Sequence, residues 1–142
     1  MNDYEEYEKQ CKVIRVENKK LLDEFSSWLK NKNLVKKTID SHVSNVDFYI
    51  NEFLLYEDAY EAKDGYDLIG SFLGDWFIRK TMWASCEDIK GNAASLKKFY
   101  TFMFEKGCIN NENLKELKEM IEEEMEDWLE ELKRFDNLTL ED

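Results

Sequence analysis

The sequence predicts an all-α fold, an orthogonal bundle of five or six helices. Three observations predict it. Apolar residues recur at spacings of three and four along most of the 142 residues, the period of a helix with one buried stripe. The chain has no proline and only 5 glycines, too few for the tight turns of a sandwich or barrel. Hydrophobic residues make up 43% and aromatics 14%, enough to fill a core and to argue against disorder.

The elements follow in chain order. Residues 3–12 read as a short polar helix with Tyr4, Tyr7 and Cys11 at helical spacing, and Val13, Ile14 and Val16 interrupt the pattern. A helix then runs from Asn18 to about Lys30, with Leu21, Leu22, Phe25, Trp28 and Leu29 on one side, and Asn31 and Asn33 end it. The next begins between Val35 and Thr38 and reaches about Tyr56, its stripe formed by Ile39, Val43, Val46, Ile50, Phe53 and Leu54. Residues 57–65 are a polar loop. A third stripe, Ile69, Phe72, Leu73, Trp76 and Phe77, marks a helix over 66–80.

Ser85 is placed as an N-cap, with Asp88 three residues on as the capping-box acid. The helix after it carries Ile89, Ala93, Leu96, Phe99, Tyr100 and Met103, and Gly107 stands where a left-handed residue would stop it. Residues 112–135 form a last, long helix. Leu114, Leu117, Ile121, Met125, Trp128, Leu132 and Phe135 line one side, and Glu crowds the others. The predicted core is Phe25, Leu29, Ile39, Val43, Val46, Ile50, Phe72, Trp76, Ile89, Leu96, Tyr100 and Met103. There is no internal repeat.

The net charge of −12 is unevenly placed. Residues 19–106 hold 13 Lys/Arg against 14 Asp/Glu, whereas residues 107–142 hold 4 against 13. The central part is nearly neutral and has room for a local basic patch; the acidity belongs to the last helix. The N-terminal ten residues are acidic and polar, unlike a secretory leader. No apolar run approaches the roughly 20 residues that cross a bilayer. Cys11, Cys86 and Cys108 are far apart and odd in number, as in a reducing compartment. A cytoplasmic protein without a membrane partner is expected.

Catalytic and metal-binding patterns are missing. The one histidine, His42, sits beside the core position Val43 and reads as a boundary side chain. No GxSxG elbow, P-loop or GxGxxG occurs; Gly70 and Gly74 lie inside an apolar helical pattern. No cysteine pair has metal-ligand spacing, and runs such as Glu122, Glu123 and Glu124 fall on solvated helix faces. The expectation is a chain that is not an enzyme, with no cofactor, no metal and no small-molecule substrate.

Two segments carry a resemblance. One is Leu22-Asp23-Glu24-Phe25-Ser26-Ser27-Trp28-Leu29, followed by Lys36-Lys37-Thr38-Ile39 and Val43 to Phe53. The other is Asp67 to Leu73, then Ser85 through Phe99-Tyr100-Thr101-Phe102-Met103-Phe104-Glu105-Lys106-Gly107-Cys108-Ile109. Together these resemble the SAM-like N-terminal core-binding domain of tyrosine recombinases, the phage integrase family, over residues 19–110. The resemblance implies a helical module that grips duplex DNA while a separate domain exchanges strands. It places Lys32, Lys36, Lys37 and Thr38 at one DNA contact, and Lys90, Asn92, Lys97 and Lys98 at a second. Lysines neutralise phosphate, and helix starts with Thr or Asn donate hydrogen bonds to it.

The departures are as informative. His42 is followed by Val43, Ser44 and Asn45, so the family's HxxR motif is absent and no tyrosine can be assigned as its nucleophile. Asn110-Asn111 stands where Asn-Pro often follows the fourth helix. Three segments are therefore expected: an N-terminal helical extension over 1–18, the SAM-like domain over 19–110, and an acidic amphipathic helix with a short tail over 111–142. The function expected is a non-catalytic, recombinase-like DNA-binding or accessory module. The alternative is a protein–protein interaction domain without DNA affinity, dimerising through Leu117, Ile121, Met125, Trp128 and Leu132 of the last helix. The expected cover of this stripe is the chain's own bundle, because helix stripes normally complete a local core; a second copy is the alternative.

Overall fold

The computed structural model describes residues 2–81 and 84–141, the side chains of 138–141 excepted. Met1 of the expected extension and Asp142 of the expected tail lie outside the described residues, as do Met82 and Trp83. Helices and turns account for the described chain, with no strand among the described residues. The fold is all-α. The chain groups into two compact units, Met1–Gly65 and Tyr66–Asp142, so the division at Gly65 falls within the 19–110 segment.

In the first unit, α1 runs unbroken over Asp3–Asn31. Asn2 caps it by accepting from Glu5 N at 2.8 Å, and Asp3, Glu5 and Glu6 complement the helix dipole. The break expected at Val13 to Val16 does not occur. Cys11, Ile14, Asn18, Leu22, Phe25 and Leu29 form one continuous buried stripe, while Val13 and Val16 point outward. β-Branched side chains lower helix propensity by only a few tenths of a kcal/mol, which packing overrides.

Asn18 is the polar member of that stripe, 1% exposed. Its Nδ2 donates to Ile50 O at 3.3 Å and to Asn51 Oδ1 at 2.8 Å. Asn51 in turn donates to Asp47 Oδ1 at 2.6 Å. The acceptors belong to the second helix, which is α-helical over Lys36–Asp47 (α2) and continues as a wider π-helical stretch, Phe48–Phe53. Leu54 N reaches back five residues to Tyr49 O at 3.0 Å. The extra residue in that turn changes the phase of the stripe. Tyr49 becomes fully buried, and Phe53, expected inside, is half-buried with its ring stacked on Tyr49 at 5.4 Å. The Tyr49 hydroxyl donates to Gly65 O at 2.6 Å and ties down the end of the 57–65 loop. Nearer the N-terminus, Cys11, Ile14 and Leu55 form a small cluster with Tyr7 and Ala59, and the Tyr7 hydroxyl donates to Leu55 O.

In the second unit, α3 (Ile69–Ser71) and α4 (Phe77–Lys80) are joined by a π-helical stretch, Phe72–Trp76. The helix starts at Ile69 rather than 66. Then α5 (Cys86–Glu105) opens with a complete capping box: Asp88 N donates to Ser85 Oγ and Ser85 N donates to Asp88 Oδ2. It closes on Gly107 at φ 87°, with Cys108 N bonded to Met103 O and Gly107 N to Phe104 O, the paired bonds of a Schellman motif.

Asn110 and Asn113 cap each other reciprocally at the start of α6, Asn111–Glu141. This long helix packs on α5 and on the 69–80 helix. Gly70 and Gly74, four apart, form the notch that receives it. A Cβ on Gly74 would lie 2.7 Å from Trp128 Cδ1, so only a glycine lets the indole rest against that backbone. Of the twelve predicted core residues, ten are buried; Val43 and Trp76 are half-buried.

Candidate nucleic-acid interface

The first proposed contact is the turn between α1 and α2. Lys32 ends α1, and Asn33 at φ 65° turns the chain in the left-handed region that Asn tolerates. Lys32 Nζ lies 4.9 Å over the Trp28 ring, a cation–π placement. Lys36 and Lys37 are exposed in the first turn of α2, and Thr38 is half-buried. Lys36 Nζ pairs with Asp40 at 2.8 Å while its side chain stays 90% exposed. The hydrogen bond to Asp40 holds the Lys36 ammonium above the ordinary lysine range, so it remains charged at neutral pH.

This turn breaks the usual rules for a helix start. Val35 occupies the N-cap and provides no side-chain hydrogen bond, and the first turn of α2 contains no acid. Its amide groups point outward with their partial positive charge, and two lysines add to it. Like charge at this end of a helix is unfavourable. Sequence reasoning missed two members of this surface. Lys30 is exposed in the last turn of α1, and Val35 is an exposed apolar side chain. The signal was present: residues 25–39 contain four lysines and no Asp or Glu.

The second proposed contact lies on α5, in the other unit. Lys90 is exposed, and Lys97 and Lys98 are half-buried. Lys90 and Lys97 are seven apart and share a face. Asn92 does not belong with them. It is 6% exposed, and its Nδ2 donates to Asp88 O at 2.8 Å. Its position between Ile89 and Leu96 puts it on the inner face, and a short polar side chain there satisfies itself against the preceding turn.

The residues offered as an interaction seam on α6 are also accounted for. Leu117, Ile121, Trp128 and Leu132 are buried within one chain, and Met125 is half-buried. A dimer through them would first have to lift α6 from α5. Among the described residues, no three His, Cys, Asp or Glu side chains are grouped to hold a metal, and no helix is long and apolar enough to cross a membrane. His42 is half-buried on α2. Compared with known proteins, the chain matches no family model, no curated protein and no solved structure.

Proposed function

We propose that the chain is a non-catalytic, cytoplasmic DNA-binding or accessory module of the recombinase core-binding kind, and that the α1–α2 turn is its main phosphate contact. The observation that carries this reading is the acid-free run 25–39, in which Lys30, Lys32, Lys36 and Lys37 flank, in sequence, a helix start without a side-chain cap. Exposed ammonium groups and outward amides suit a phosphate backbone. The lysines of α5 offer a second, weaker contact through Lys90, Lys97 and Lys98.

Fluorescence anisotropy with a labelled duplex tests it. Affinity should fall steeply between about 50 and 200 mM salt, with a slope near −0.9 per phosphate neutralised. Lys36→Glu should weaken binding more than Lys97→Glu. No binding to any duplex at low salt would remove the reading.

A protein-interaction module is the second reading. A groove of about 440 Å³ in the first unit favours it, lined in part by Val13, Ile14, Ala59 and Tyr60. Purification from the native host separates the two: a protein partner that survives nuclease treatment supports the second, and co-purifying DNA supports the first.

A further inference from the structure

In the first unit, the segment that follows the second helix lies beside α1, and the two line the groove of about 440 Å³. Tyr60 N donates to Leu54 O at 3.3 Å and Asp64 N to Glu61 O at 3.0 Å, so this segment turns twice along the groove. Val13 and Tyr60, two exposed apolar side chains far apart in sequence, both line it. Ile14 and Ala59 continue the apolar lining down to the cluster of Cys11 and Leu55. The charged lining is mostly negative, with Glu6, Glu61 and Asp64 against Lys9. Lys63 reaches Glu61 at 3.5 Å, but both side chains are half-exposed, and such a pair is worth little in water.

An apolar and aromatic lining with an excess of carboxylate selects its occupant by charge. Phosphate is repelled, so this surface is no extension of a DNA contact. A wholly apolar group would cover the carboxylates without pairing them. A lysine or arginine side chain meets both demands. Its stem lies along apolar surface, its head pairs with carboxylate, and a tyrosine ring attracts a cation over its face. The volume falls in the range of roughly 300–1,000 Å³ where ligand sites lie. Resting on the protein-interaction reading above, we propose that this groove docks a basic segment of a protein partner, a lysine or arginine beside an apolar residue.

Amide chemical shifts of the isotope-labelled full chain, titrated with a short peptide of alternating leucine and arginine, test this. A leucine–glutamate peptide is the control. Shifts are expected over 6–14 and 59–64, with the arginine peptide only. Val13→Ser leaves the charge unchanged and should weaken binding by about three- to tenfold. Asp64→Lys should weaken it by about tenfold at low salt. Both positions are exposed, so both variants should melt near the wild-type temperature. Glu123→Lys makes the same change of charge on the exposed face of α6 and should matter far less. Equal weakening by Glu123→Lys would mean attraction to the chain's overall negative charge, and the inference would fall. Equal shifts with both peptides would also overturn it. If a partner from the native host survives nuclease and still binds the Val13→Ser and Asp64→Lys chains, the inference falls and the interaction reading stands. If DNA alone is recovered and the peptide causes no shifts, both fall.

Discussion

The first turns of α5 and α2 are built to opposite rules. Before α5 stands Ser85, whose hydroxyl and backbone exchange hydrogen bonds with Asp88, and Glu87 adds a second acid. Before α2 stands Val35, with no side-chain bond to offer, and Lys36 and Lys37 occupy the positions where acids would be favourable. One chain therefore contains both a fully capped helix and one started against its own dipole. Burial requirements do not account for the second, because Val35, Lys36 and Lys37 are all exposed. Under the DNA-binding reading proposed above, the breach at α2 is part of the binding surface.

The contrast is open to measurement, and the largest effects belong to the well-packed unit. Trp128→Ala removes an indole buried over Gly74 and should cost about 3–5 kcal/mol. The fall in melting temperature should not depend on protein concentration; dependence would mean that the stripe is shared between copies. Gly74→Ala should cost about 1–3 kcal/mol, since its Cβ would press on the same ring at 2.7 Å. A neutral result would show that the indole moves aside easily and that the notch is loose.

Changes at the two helix starts should have similar size and opposite sign. Ser85→Ala should destabilise by about 1 kcal/mol, and Val35→Ser should stabilise by up to a similar amount. Urea titrations of the pair suffice, and a loss at both sites would dissolve the comparison. The smallest effect probes an exception inside α5. Gly91 sits in mid-helix, and a Cβ there would meet nothing within 4 Å. Gly91→Ala should add about 0.5–1 kcal/mol. A loss would reveal a constraint on that position beyond local packing.

Much of this architecture is legible in the sequence, and the exceptions have physical reasons. The capping box, the Gly107 stop and the α6 stripe are short-range patterns, and each appears where the residues put it. The continuity of α1 is harder to read, because Val13 and Val16 set apolar side chains off the buried stripe and Asn18 sets a polar one within it, where its own hydrogen bonds satisfy it. Tyr49 escapes notice although it stands three residues after Val46 and shares its face; Phe53, expected inside, is half-buried where the π-helical turn shifts the later residues. At the candidate site, residue type misleads for Asn92, whose polarity suggests the surface while its neighbours Ile89 and Leu96 are buried. It conceals Val35 for the opposite reason: an apolar residue beside a helix reads as packing until its exposure is known.

Asn18 has a consequence for how the first unit finds a single arrangement. Its apolar neighbours along α1, Ile14 and Leu22 among them, gain from any alignment that keeps them dry. The amide is not interchangeable. It needs Ile50 O and Asn51 Oδ1 at one height, and any other alignment would leave it dry and unbonded at about 1–3 kcal/mol. The leucines and phenylalanines supply adhesion wherever they are buried, whereas Asn18 favours the alignment that satisfies its amide, as a single buried asparagine does in a coiled coil. Asn18→Leu would then be tolerated in melting temperature yet yield a unit that samples more than one helix alignment.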